Sequence, residues 1–151
     1  MNISQITDYL YIGGQPKTAD AAELEALGIR LIISMAGNRF PPKRLRQPPF
    51  QLLWLKTFDS FWTPIPIRKL FQGVRTALPV IERGERVLAH CSHGRHRGVA
   101  MGAAILIGMG HSAEEAMHLI STRRRIADPY TWYIKRRINK FERHWQAQLG
   151  D

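Results

Sequence analysis

Three short apolar runs, Arg30–Met35, Gln51–Leu55 and Arg86–His90, alternate with segments of helical spacing, and this alternation constrains the fold most. Runs of this length suit buried strands, and Arg30–Met35 is also rich in β-branched residues. Strands interleaved with helices build parallel sheets, because each helix supplies the crossover that a parallel pair needs. Ile3–Ile6 and Leu10–Ile12 read as two further short strands around a turn at Asp8. A chain of 151 residues holds one core and little more. The expected architecture is therefore α/β: a single domain over residues 1–151, with a central, largely parallel sheet flanked by helices.

The helical segments carry their own punctuation. Asp20 followed by Glu23 resembles a capping box, for a helix that ends near Leu27 with Gly28 as its C-terminal cap. Pro66–Glu82 places Ile67, Leu70, Phe71, Val74, Leu78 and Ile81 on one face. Gly98–Gly108 is apolar nearly all round and should be a buried helix. Ser112 with Glu115 opens a helix to about Arg124, and Asp128-Pro129 is expected to open the last one with Pro129 at its first position. Ala36–Phe50, proline-rich and basic, and Phe58–Pro64 read as loops. Trp54 and Phe71 are expected in the core, whereas Phe61 and Trp62 flank an aspartate and either line a pocket mouth or pack their loop down.

Cys91 is the single cysteine, which excludes an internal disulfide, a tetracysteine zinc site and any chemistry needing a resolving thiol in the chain. A free thiol of this kind fits a reducing cytoplasm. The first residues lack the basic start and apolar centre of a signal peptide, and Val99–Met109 is too short to span a bilayer. Membrane insertion is not expected. The formal charge of +10 is concentrated at Lys43, Arg44 and Arg46, at Arg123, Arg124 and Arg125, and at Lys135, Arg136, Arg137, Lys140 and Arg143. Such clusters are either a solvated surface or an attractor of polyanions, and charge alone does not choose between them.

Around the cysteine the chain reads His90-Cys91-Ser92-His93-Gly94-Arg95-His96-Arg97, between a strand-like run and a helix-like one. A thiol at a helix N-terminus with cations nearby is stabilised as thiolate. Backbone N–H groups from Ser92 to Arg97 can curl into an anion nest, and Gly94 permits the dihedrals of such a curl. Arg97 supplies a planar fork that matches two phosphoryl oxygens.

His90-Cys91, five residues and then Arg97 resembles the signature of the cysteine-dependent protein tyrosine phosphatases, and the short chain resembles their dual-specificity branch. Tyr11-Ile12-Gly13-Gly14 is similar to that family's N-terminal strand, Leu27-Gly28-Ile29 to its first helix-to-strand turn, and Ser112–Arg125 to its penultimate helix. The resemblance implies Cys91 as nucleophile, Arg97 as the group that binds and stabilises the transferring phosphoryl, and His90 as a residue that keeps the thiol ionised. Ser92, His93, Gly94, Arg95 and His96 complete the substrate-binding loop. No cofactor and no metal are implied.

A general acid must come from elsewhere. Of the 12 carboxylates, most fall at helix starts, on helices or in tight turns, and Asp59 alone lies in an irregular loop between a strand and a helix. That position is similar to the family's mobile acid loop, so Asp59 is expected to protonate the leaving oxygen and then activate water. An exposed loop aspartate is the plain alternative, and Asp128 is the reserve. The family places serine or threonine directly after the arginine; this chain has Gly98, which predicts slower phosphoenzyme breakdown, with His93 and His96 as compensating cations.

Rival readings fit less well. Zinc binding by His90, Cys91, His93 and His96 requires adjacent residues to converge beside a repelling guanidinium, and an inert buried cysteine would not sit among so many polar neighbours. A rhodanese loop is a residue shorter, arsenate reductases need further cysteines, and low-molecular-weight phosphatases carry the loop near the N-terminus. The expected substrate is a phosphorylated protein or peptide met by a shallow pocket in a monomer. The alternatives are a polyanion, either an RNA 5′-triphosphate (Cys91-Ser92-His93-Gly94 resembles the loop of RNA 5′-triphosphatases) or a phosphoinositide, and a phosphate-reading binding module.

Overall fold

A computed structural model describes residues 1–150. Five strands, β1 (Ile3–Gln5), β2 (Leu10–Gly13), β3 (Ile29–Ser34), β4 (Gln51–Trp54) and β5 (Arg86–His90), form one sheet in the order β1-β2-β5-β3-β4. Only β1 runs antiparallel to its neighbour. The helices are α1 (Ala21–Ala26), α2 (Ile67–Glu82), α3 (Arg97–Gly108), α4 (Ala113–Arg123) and α5 (Trp132–Leu149). The α/β class, the parallel sheet and the flanking helices follow the sequence pattern.

Alternation along the central strands divides the interior in two. Leu31 and Ile33 of β3 and Val87 and Ala89 of β5 face a large core closed by α2, α3, α4 and α5. Ile32 and Leu88 face the other way, onto a smaller core with Tyr11, Leu24, Leu45 and Phe50. α3 is buried along nearly its whole length, as an all-apolar helix between layers must be. β5, central and followed by α3, carries Cys91 out of its C-terminal end. That is where open α/β sheets place ligands.

Three local expectations need correction. The last helix starts at Trp132, not at Pro129: Asp128 turns its carboxylate onto the Thr131 N–H at 3.1 Å and onto the Thr131 hydroxyl, forming a turn before the helix. Asp20 accepts from the Lys17 N–H at 2.8 Å, and so closes a short 3-10 turn ahead of α1 rather than capping α1. Ala36–Phe50 is not merely loop, because a 3-10 turn at Lys43–Arg46 buries Leu45 and leads to a buried Phe50. Arg44 and Arg46 of that basic cluster lie over the rings of Phe50 and Phe40 at 5.5 and 4.5 Å. The capping box at Ser112 and Glu115 is present in both directions.

Candidate active site

Cys91 lies at the floor of a cavity of about 360 Å³ lined by Asp59, His93, Arg95, His96, Arg97 and Ile126. Its Sγ accepts the Gly94 N–H at 3.3 Å, so the chain after β5 does curl back over the sulfur. Gly94 has φ of +69°, and a Cβ there would sit 2.5 Å from the Arg124 guanidinium and from the Gly13 carbonyl carbon. Both the dihedral and the space demand glycine. α3 begins at Arg97 with no side-chain cap, which leaves the positive end of its dipole to the loop.

Arg97 is buried, and its Nη1 donates to the carbonyls of Met35 at 3.2 Å and Thr57 at 2.9 Å. Those carbonyls stand where the chain leaves β3 and β4. Nη2 reaches the Ser92 hydroxyl at 3.3 Å, and Nε has no partner. A buried guanidinium N–H without a partner is costly, and an oxyanion in the pocket is the group that would satisfy it. Ser92 thus lies beside the arginine fork, while His93 and Arg95 are exposed on the pocket rim.

Behind the loop stands a second arginine that sequence reasoning left in a surface cluster. Arg124 is buried, donating from Nε to the Gly94 carbonyl at 2.8 Å and from Nη2 to the His93 carbonyl at 3.1 Å and the Asn2 side chain at 2.8 Å. Its Nη1 donates to the Ser4 hydroxyl at 3.0 Å. Burial lowers its pKa, against the pull of the nearby Cys91 sulfur. Gly94 and His93 lie 30 and 31 residues before it and Ser4 and Asn2 120 and 122, so no local pattern pointed to these partners.

On the open side, Asp59 meets two residues. His96 Nδ1 lies 3.0 Å from its Oδ2, and the Tyr133 hydroxyl donates to its Oδ1 at 2.8 Å. Burial pushes the Asp59 carboxyl up, but the His96 and Tyr133 hydrogen bonds and the charges of His96 and Arg97 outweigh it and hold the group below the usual carboxylate range. Tyr133 is pushed up to about 12 by burial and by the Asp59 carboxylate, so it remains a donor. Asp128, the reserve acid, lies 3.9 Å from the other nitrogen of His96 and is itself held low by Thr131. His96 therefore sits between two carboxylates rather than free over the cradle. Tyr133 is a second residue the sequence did not disclose. Trp62, though close in sequence, does not line the cavity.

His90 is buried, and that burial, with Arg97 adding to it, lowers its pKa to about 4 despite a bond to the Cys91 carbonyl at 3.2 Å. A carbonyl only accepts, so the neutral ring carries its proton on Nδ1. Any effect of His90 on the thiol comes through that backbone link and not through a positive charge. At Gly98 a Cβ would meet the Cys91 nitrogen and two His90 backbone atoms at 3.1 Å. The absent hydroxyl is thus matched by a helix start pressed close against the strand end.

This arrangement on this sheet is the fold of the dual-specificity phosphatases. Human DUSP28 superposes with a TM-score of 0.85 at 19% identity, covering 97% of this chain and 96% of that one. PTPMT1 in complex with PI(5)P gives 0.86 at 24% identity, over 97% and 98%. A human tyrosine phosphatase-like serine/threonine/tyrosine-interacting protein gives 0.82 at 22%, over 96% and 98%. In sequence the chain is 27% identical over 130 residues to protein-tyrosine-phosphatase MKP1 of Arabidopsis thaliana, a match spanning 83% of this chain but 16% of that protein. No family model matches. Among the described residues no helix is long and apolar enough to cross a membrane.

Proposed function

We propose that the chain is a phosphoric monoester hydrolase that works through a phosphocysteine, with phosphorylated proteins as its substrate class. The observation that carries this is the Cys91 sulfur under a curled loop, facing an Arg97 whose Nε is buried without a partner. The Cys91 thiolate attacks phosphorus while the ester oxygen leaves with a proton, and water then cleaves the S–P bond to release phosphate and regenerate the thiolate. Arg97 stabilises the equatorial oxygens in both steps.

Asp59 serves both steps from the pocket wall. Its lowered pKa suits the second, in which a carboxylate takes a proton from water. For the first it must carry a proton, which a bound phosphate dianion favours by raising a neighbouring carboxyl. His96 and Tyr133 fix the carboxylate's position without touching the reacting atoms. With Gly98 in place of a hydroxyl donor, the departing thiolate is less stabilised and phosphoenzyme breakdown limits turnover. A pre-steady-state burst is expected, smaller in Gly98→Ser; no burst in either protein would remove that step from the account.

A second reading, hydrolysis of a phosphoinositide, is supported by Arg95 on the pocket rim and by the PI(5)P bound to a neighbour of the same fold. Turnover of an aryl phosphate, lost in Cys91→Ser, tests the enzyme against a phosphate-reading module. Phosphotyrosine peptide, phosphoinositide and RNA triphosphate compared at several salt concentrations then rank the substrates. Preference for the peptide with a shallow salt slope supports the first reading, and a steep slope with a polyanion overturns it. A cytoplasmic monomer is the setting that fits a free, reactive thiol.

A further inference from the structure

Beside the cavity, and sharing Ile126 with its lining, lies an exposed aromatic surface. Trp62 is 81% exposed and Trp132 56%, with Phe61, Ile126 and Tyr130 also open to solvent. Phe61 packs on Trp62 at 4.8 Å and on Trp132 at 5.8 Å, with the rings tilted by 40° and 43°. Trp132 in turn meets Tyr133, the residue that holds Asp59, and Ile126 lines the cavity itself. Leaving this much aromatic surface in water is unfavourable unless something covers it.

The adjoining flank of α5 is basic. Arg136 and Arg137 share a cleft with Phe61 and Trp132, and Lys140 and Arg143 continue the same strip along the helix. Among the described residues the only Lys or Arg paired with a carboxylate is Arg83, far from this flank in the chain. Glu142, the acidic residue within α5, is committed to the Ala113 N–H at 2.5 Å. No carboxylate among the described residues pairs with a cation of the strip.

We propose that this face docks on an anionic lipid surface, with Trp62, Phe61 and Trp132 at the headgroup level and Arg136, Arg137, Lys140 and Arg143 against the charged lipids. Tryptophan is favoured at the membrane interface because its ring is apolar and its N–H is polar. Cations near an anionic leaflet each contribute roughly fivefold to partition, and the effect fades within a Debye length. The rings lean on one another as one contiguous wedge, whereas a single-stranded nucleic acid needs separated platforms for successive bases. Docking here would place the cavity mouth at the bilayer surface without inserting any helix.

The test uses the Cys91→Ser chain, so that binding is read independently of turnover, and vesicles of phosphatidylcholine with or without phosphatidylserine. Co-sedimentation should favour the phosphatidylserine vesicles at least roughly tenfold and fall as salt is raised. Lys140→Glu with Arg143→Glu should lower it by at least roughly 25-fold, and the same pair in the Cys91 background should leave aryl phosphate turnover unchanged. Trp62→Ala with Trp132→Ala should lower it by roughly tenfold. In the chain with its native tryptophans, brominated lipid should quench fluorescence. Equal partition to neutral vesicles, absence of quenching, or tighter capture by a single-stranded RNA homopolymer at equal salt would overturn the proposal.

Discussion

Arg97 and Arg124 are two buried arginines on opposite sides of one loop, and they use their guanidinium groups in opposite ways. Arg124 spends its donors on the protein: two loop carbonyls, the Ser4 hydroxyl and the Asn2 amide oxygen. Arg97 anchors one nitrogen on the Met35 and Thr57 carbonyls and leaves Nε without a partner beside the cavity. Arg124 holds the loop in shape, and on the proposed function Arg97 keeps a donor for the phosphoryl group. The difference lies in the unused donor, since residue type and burial are the same.

The largest expected effect that sharpens this contrast is on Arg97. Arg97→Lys keeps the charge but loses the fork, and kcat for an aryl phosphate should fall roughly thousandfold with little change in Tm. A large drop in Tm would mean that Arg97 is structural after all, and the contrast would fail. Next comes Asp59→Asn, expected to slow turnover roughly a hundredfold or more for substrates with poor leaving groups, and much less for activated aryl esters. Equal losses for both would move the acid elsewhere, with Asp128 first in line.

Arg124→Met should behave in the opposite sense to Arg97→Lys. The carbonyls of Gly94 and His93 lose their charged donor, so stability should fall by about 3 kcal/mol in denaturant titration, with activity declining alongside it. Unchanged stability with lost activity would place Arg124 in the chemistry. The last effect, spread over a pH window, concerns His90. Its folded pKa, about 4, lies below the unfolded value, so the unfolded chain binds the extra proton between those two values. Stability contributed by the neutral ring is full above about pH 6.5 and is lost as pH falls toward about 4, on the order of 3 kcal/mol in all. His90→Asn should flatten that slope in thermal melts across the window.

What could be read from the sequence was what is local. The thiol, the glycine and the arginine lie within a few residues, and the chemistry they need is written in their spacing. Asp59 stood out because it lay in neither a helix start nor a turn. Arg124, Tyr133 and Asn2 escaped because their roles rest on partners far along the chain, and a run of three arginines looks the same whether its middle member is solvated or buried. Asp128-Pro129 misled for another reason: an aspartate before proline begins a turn as readily as a helix, and here the carboxylate was used by Thr131. The basic stretch at Lys43–Arg46 likewise hid Leu45, which packs into the smaller core.

The most direct measurement is rapid acid quench during turnover of a phosphate ester, followed by mass spectrometry of the peptide that contains Cys91. A phosphate adduct on that cysteine, present in the unaltered chain, enriched in Asp59→Asn and missing in Cys91→Ser, is the expected result. Turnover that proceeds with no adduct at any quench time, or that survives in Cys91→Ser, would contradict it.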